Sequence, residues 1–290
     1  MSNALLNGLV VASYGKRYGV ELEDGVELSC VTRGKKTDLA CGDRVKVKLT
    51  GPSEGVVEQL EPRSSLLYRS NSFRSKMLAA NVSQAVIVLA TQPSFYEELL
   101  NRCLVACEAA GVKAVIVLNK CDLDNAEDVM SRLQDYAALG YTIQPLSARD
   151  DIAPLRQWLA GETSVLVGQS GMGKSTIVNA LLPDKMVRTQ EVSTVLDSGK
   201  HTTTAAHLYH LDATSKLIDS PGLQEFGLHH LDGEQLELAF VEFRPYLGKC
   251  RFNNCRHLKE PDCAIREAAD AGAILPRRLA YYQQLRQEIA

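Results

Sequence analysis

From Gly8 to Leu60 the chain alternates apolar and polar residues in short stretches, 9–13, 19–22, 27–31, 44–49 and 55–60. Turn formers such as Glu23-Asp24-Gly25 and Thr50-Gly51-Pro52-Ser53 separate them. A period of two marks strands with one buried and one solvated face. Several short strands in so little chain predict a small barrel of the OB type, although the pattern alone fits an SH3-like barrel equally well. Beyond Ala79 the pattern changes. Nearly continuous apolar runs at 85–90, 114–118, 142–145, 164–167, 206–211 and 216–218 are interleaved with amphipathic stretches at 95–110, 125–139, 152–159 and 175–182. Strands apolar on both faces, alternating with helices, predict a doubly wound parallel sheet.

The ends of those apolar runs carry the chemistry. Gly168-Gln169-Ser170-Gly171-Met172-Gly173-Lys174-Ser175 fits G-x-x-x-x-G-K-[ST] in full, follows the run ending at Val167 and opens a helical stretch through Thr176. Such a loop wraps phosphates with backbone N–H groups, Lys174 adds charge on the β/γ oxygens, and Ser175 is placed to ligate Mg²⁺. Asn119-Lys120-Cys121-Asp122 ends the run 114–118. The Asp122 carboxylate can accept from both guanine donors, N1 and N2, a pair adenine lacks. Asn119 would tie this loop to the phosphate loop, Lys120 would cover the base, and Ser147-Ala148 would bring a backbone N–H to guanine O6. Asp219-Ser220-Pro221-Gly222 comes last, with Asp219 holding a metal-bound water and the Gly222 N–H meeting the γ-phosphate. The guanine motif thus precedes the phosphate loop, the reverse of the usual order. The fold class expected is α/β, with an N-terminal OB-type barrel, a circularly permuted P-loop GTPase domain and a C-terminal zinc-binding helical segment.

Composition bounds this picture. A chain of 290 residues, 45% apolar, accommodates two or three domains, drawn here as 1–68, 69–232 and 233–290. With no apolar stretch near membrane-spanning length and no basic leader in Met1-Ser2-Asn3-Ala4, the expectation is a cytoplasmic protein without a membrane partner. In a reducing compartment its eight cysteines would be thiols or metal ligands. Cys103 and Cys107, four apart on a helical stretch, read as packing residues.

Net charge is zero over residues 1–68, +3 over 69–76, −10 over 77–243 and +4 over 244–290. The acidic middle holds the nucleotide motifs, so a polyanionic partner would be met by the flanks, or the charges serve only to solvate the surface. In the barrel Arg33, Lys35, Lys36, Arg44, Lys46 and Lys48 are the basic candidates, with Tyr14 and Tyr18 the only aromatics to stack on a base.

Cys250-x₄-Cys255-x-His257-x₅-Cys263 sets four ligands among Asn, Arg, Lys and Pro. That spacing suits one closed, structural Cys₃His zinc site. His229 and His230 read as surface residues.

This combination resembles the ribosome small subunit-dependent GTPase family, RsgA (YjeQ, YloQ). The motif order, the barrel before it, the cysteine knuckle after it, Ala79-Ala80-Asn81-Val82 and Gly199-Lys200-His201-Thr202-Thr203-Thr204 all carry the resemblance. It implies a monomeric factor that binds the 30S subunit and its rRNA late in maturation, hydrolyses GTP to GDP when stimulated by the subunit, and then leaves. By alignment to the family's switch pattern, Thr203 joins Ser175 on Mg²⁺, with Thr202 and Thr204 offering the same hydroxyl. Leu223 stands where many GTPases have the water-orienting Gln, which predicts slow intrinsic hydrolysis. His201 is the substitute in sequence, or else a surface switch residue. Two other functions fit parts of the pattern: a GTP-gated RNA-binding module with incidental hydrolysis, and a zinc-handling GTPase. Four protein ligands on the metal argue against the second.

Overall fold

The structure, a computed structural model, describes residues 4–33, 38–71, 74–183, 206–220 and 228–289. Lys35, Lys36, the switch segment from Gly199 through Thr204, and Pro221, Gly222 and Leu223 lie outside the described residues.

The N-terminal strands are β1 (Leu6–Ser13), β2 (Tyr18–Leu22), β3 (Glu27–Thr32), β4 (Arg44–Leu49) and β5 (Glu54–Leu60). They pair in the order β1-β2-β3-β5-β4, and β1 closes on β4. The pairing of β3 with β5 is parallel and the rest antiparallel, which is the OB arrangement and excludes the SH3-like alternative. Alternation works as expected on β4: Val45 and Val47 point into a core shared with Val10, Val20, Leu28 and Cys30, while Arg44, Lys46 and Lys48 face outward. Tyr18 corrects the sequence reading. It is 4% exposed in this core, so it cannot stack on a base, whereas Tyr14 is 55% exposed.

A hairpin, β6 (Leu66–Asn71) and β7 (Arg74–Ala80), follows the barrel where the sequence showed only a concentration of positive charge over 69–76. The nucleotide sheet comprises β8 (Gln84–Ala90), β9 (Lys113–Asn119), β10 (Thr142–Pro145), β11 (Thr163–Val167), β12 (Ala206–His210) and β13 (Lys216–Asp219). Its helices are α1 (Glu97–Ala110), α2 (Ala126–Ala138), α3 (Ala153–Leu159) and α4 (Lys174–Leu181). Strand order is β10-β9-β8-β11-β13-β12, parallel from β10 to β13. Every residue of β8 is buried, as a central strand covered by helices on both faces requires. Chain progression reverses between β8 and β11, and a crevice for ligands is expected at such a switch point.

Barrel and sheet are one hydrogen-bonded surface. Strand β1 pairs with β4 through Leu6–Leu9 and then, past a register shift between Val10 and Ala12, with antiparallel β12 through Ala12 and Ser13. The irregularity lets a single strand turn from one sheet into the next. Asn81, at φ +54°, stitches the same junction: its side chain donates to Gly42 O (2.9 Å) and accepts from Ser64 N (2.8 Å).

The C-terminal part contains α5 (Gly233–Ala239), a 3₁₀ turn Val241–Tyr246, α6 (Ala264–Asp270) and α7 (Pro276–Glu288). Helix α5 starts with a capping box, in which Asp232 accepts from Gln235 N and the Gln235 side chain accepts from Asp232 N. Its packing on the nucleotide domain uses charge as well as apolar surface. Arg278 on α7 is 1% exposed, donates to Glu242 at 2.6 Å and to Asn101 of α1, and lies 4.6 Å from the Phe240 ring centroid. Arg277 pairs with Asp135 at 2.5 Å and Arg244 with Glu108 at 2.6 Å. Part of the positive charge counted for residues 244–290 is therefore already paired, Arg277 and Arg244 with acidic residues of the nucleotide domain and Arg278 with Glu242 of the C-terminal part itself. Exposed basic residues remain around the cysteine knuckle: Lys249, Arg251, Arg256 and Lys259.

Candidate functional site: nucleotide cradle and metal cluster

Three strand ends converge on the crevice. Strand β11 delivers the phosphate loop 168–173, β9 delivers Asn119 to Asp122, and β8 delivers Thr91 and Gln92. Glycine is required at both ends of the loop. Gly168 has φ +148°, and a Cβ there would strike the Val88 carbonyl; Gly173 has φ +93°, and a Cβ would strike the Asn119 amide. The closeness of loop and Asn119 is functional geometry.

Asn119 is 2% exposed and holds three segments together. Its Nδ2 donates to Met172 O in the phosphate loop (2.9 Å), and its Oδ1 accepts from Ala148 N (3.0 Å). Lys120, at φ +64°, extends along the loop, and its Nζ donates to Gly171 O (2.8 Å) and Gln92 O (2.7 Å). Asp122 is exposed at the mouth, as a base-reading carboxylate must be before ligand arrives. Ser147 lies beside Ala148 with its hydroxyl buried and unpartnered.

At the phosphate end Lys174 is 8% exposed, and its Nζ donates to Gly168 O (2.7 Å) and Gln169 O (2.8 Å). Ser175 and Thr176 follow in the first turn of α4, with Ser175 exposed; Ser170 and Gly171 are exposed on the loop. Asp219 ends β13 at the floor of the crevice. Burial lowers the pKa of Lys174, against the attraction of Asp219, and pushes the Asp219 carboxyl up to about 6, against the attraction of Lys174. Burial wins on both partners, so each charge is held at a desolvation cost that a phosphate and a cation would relieve. Ser175 and Asp219 fit an octahedral, oxygen-liganded Mg²⁺ in donor type. Thr203, His201 and Gly222 lie outside the described residues.

Sequence reasoning missed the wall formed by residues 91–96. The Thr91 hydroxyl donates to Lys120 O (3.2 Å), and the Gln169 side chain accepts from Tyr96 N (3.0 Å). The available signal was position alone, since Thr91 follows the C-terminal end of a central parallel strand.

The second site is the cysteine knuckle. Cys250, Cys255, His257 and Cys263 bring one ligand atom each to within 4.8 Å of one another. His257 Nδ1 lies 3.6, 3.5 and 3.3 Å from the sulfurs of Cys250, Cys255 and Cys263, and the Cys250 and Cys263 sulfurs are 3.9 Å apart. Tetrahedral zinc, with Zn–S of about 2.3 Å and Zn–N of about 2.0 Å, implies N···S near 3.5 Å and S···S near 3.8 Å. The donor set and its spacing therefore fit a metal ion of that size. His229 and His230 are exposed and outside the cluster, with His230 against the Tyr68 ring at 4.8 Å. Cys103 and Cys107 are buried within α1, and burial raises both thiols above their ordinary pKa.

A barrel ahead of a sheet in which the guanine motif precedes the phosphate loop defines a circularly permuted GTPase. The sequence pattern of the family described as RsgA GTPase matches residues 60–229. The small ribosomal subunit biogenesis GTPase RsgA of Nitrosospira multiformis is 51% identical over 281 residues, covering 97% of this chain and 90% of that protein. Its counterpart in Neisseria meningitidis serogroup B is 49% identical, covering 97% and 91%. Among solved structures, YjeQ from Thermotoga maritima superposes with a TM-score of 0.75 at 29% identity, covering 99% of both chains. YloQ, a circularly permuted GTPase, gives 0.72 at 27% identity, covering 99% of this chain and 96% of that one. The chain belongs to the RsgA GTPase family.

Guanine selectivity should reside in Asp122. Asp122→Asn is expected to exchange GTP preference for xanthosine triphosphate, because the amide cannot accept from both guanine donors. Competition binding with the two nucleotides reads this out, and an unaltered GTP preference would remove Asp122 from the base site.

Proposed function

We propose that this chain hydrolyses GTP to GDP and phosphate in the late maturation of the small ribosomal subunit. It binds the 30S particle and its rRNA as a cytoplasmic monomer, is stimulated by that particle, and leaves on hydrolysis. The observation that carries the GTP reading is Asn119, whose two ends join the guanine loop, the phosphate loop and the Ala148 N–H. Among the described residues no helix is long and apolar enough to cross a membrane.

In this reading the loop 168–173 and the N-terminus of α4 receive the β- and γ-phosphates, and Lys174 swings from the Gly168 and Gln169 carbonyls onto their oxygens. Ser175 and Thr203 would hold a Mg²⁺ ion, which would supply further neutralisation of the charge developing on the transferred phosphoryl group. Asp219 orders water around that site, the Gly222 N–H contacts the γ-phosphate, and His201 positions the attacking water in place of the missing Gln at Leu223. Cys250, Cys255, His257 and Cys263 would hold one zinc per chain, which would keep the knuckle folded.

The knuckle supports rRNA contact. Lys249, Arg251 and Arg256 are exposed there, and the Arg251 guanidinium, paired with Asp262 at 2.7 Å, lies 5.4 Å from the ring centroid of the exposed Phe252. Binding to purified 30S particles should weaken steeply as salt rises, because phosphate contacts release counterions. His201→Ala should lower subunit-stimulated turnover far more than GTP affinity. Salt-insensitive binding would argue against rRNA contact, and full stimulated turnover in the mutant would return His201 to an ordinary surface role.

A further inference from the structure

His257 turns Nδ1 toward the three cysteine sulfurs, so its other nitrogen, Nε2, points out of the cluster. That Nε2 is buried and has no hydrogen-bond partner. A buried, unpaired N–H is costly, so a native site is expected to provide an acceptor. Facing it is Glu237, with Oε2 at 3.8 Å. Glu237 is itself held: its Oε1 accepts from the Tyr282 hydroxyl at 3.2 Å. The rings of Tyr282 and Phe243 wall the imidazole at centroid distances of 5.9 and 6.3 Å, and Gln283 donates to the His257 carbonyl at 2.9 Å. Two rings thus wall the imidazole while Gln283 holds its backbone, and the carboxylate needs to approach by only about 1 Å to reach hydrogen-bond distance.

We infer that Glu237 is the positioning residue of the metal centre, accepting the Nε2–H of His257 and so fixing the tautomer that presents Nδ1 to zinc. The inference rests on the zinc reading proposed above. A metal-bound imidazole whose second nitrogen donates to a carboxylate is a better and better-oriented ligand than one left alone. Here the carboxylate comes from α5, outside the knuckle, and α5 is the first helix after the segment that follows Asp219.

The test uses the full zinc-loaded chain with ¹⁵N-labelled histidine. Zinc affinity is measured by competition with a chelator of known strength, and the His257 Nε2–H by NMR shift and solvent exchange. Wild type should show metal on Nδ1 and a slowly exchanging, downfield Nε2–H. E237Q keeps the size of the side chain and a neutral acceptor, so it should stay folded, move this proton upfield and weaken zinc modestly. E237L should speed its exchange and weaken zinc roughly 10- to 100-fold. An unmoved affinity or an unmoved Nε2–H exchange rate in E237L overturns the assignment, as does a nitrogen shift pattern with metal on Nε2. A wild-type chain that takes up no zinc overturns the zinc reading as well, whereas a zinc-loaded wild type with insensitive variants overturns only the role of Glu237.

Discussion

Asn119→Ala should weaken GTP binding by roughly 30-fold or more, a larger loss than its lack of direct base chemistry would suggest. Its amide reaches Met172 O in the phosphate loop at 2.9 Å and its carbonyl accepts from Ala148 N at 3.0 Å, both in buried surroundings. Truncation leaves a carbonyl and an N–H unpaired, at about 1–3 kcal/mol each, so some 2–6 kcal/mol of loop organisation is at stake. Gly173 packs directly on the Asn119 amide, so the cavity left by alanine also frees the loop to shift. Calorimetric titration with GTP checks this, alongside a melting curve to separate loop disorder from global unfolding. Affinity equal to wild type would mean that the loops are held by something other than Asn119.

The second large effect belongs to a buried ion pair within the C-terminal part, where α7 also touches α1 of the nucleotide domain. Arg278→Ala is expected to destabilise the chain by about 3–5 kcal/mol, because it strands a buried carboxylate at Glu242. The ion pair is nearly dry, with side chains 1% and 5% exposed, and Asn101 on α1 loses its donor at the same time. In a chain of this size that is a fall on the order of 10 °C in the melting temperature. Arg278→Met should not rescue it, since the buried charge persists, but adding Glu242→Leu should recover much of the loss. A single mutant as stable as wild type would show that the C-terminal helices are held by their apolar contacts alone.

The elements were legible in the sequence to within a few residues because their signals are local: alternation on β4, solid apolarity on β8, punctuation by glycine. The phosphate loop and Asn119 were legible for a similar reason, since their residue types have few structural substitutes. What was not legible depends on partners far along the chain. Nothing in 9–13 announces that Ala12 and Ser13, still paired with β2 on one side, meet β12 instead of β4 on the other, because a strand chooses its neighbour by tertiary packing. The hairpin β6–β7 was hidden because residues 69–76 stood out in the sequence only by their positive charge. Arg244, Arg277 and Arg278 looked like surface charge for a polyanion, yet their partners Glu108, Asp135 and Glu242 lie elsewhere in sequence. The Glu237–His257 approach was invisible for the same reason, since spacing reveals a metal ligand but not the group that orients it.

The direct test of the whole account is GTP turnover by the full chain alone and with purified 30S, 50S or 70S particles. Alone, turnover should take minutes or longer, since Leu223 cannot orient water. The 30S particle should accelerate it many-fold while 50S does not, and stimulation should fall with rising salt. A rate unchanged by 30S, or one raised equally by every particle, would contradict a GTPase that acts on the small subunit.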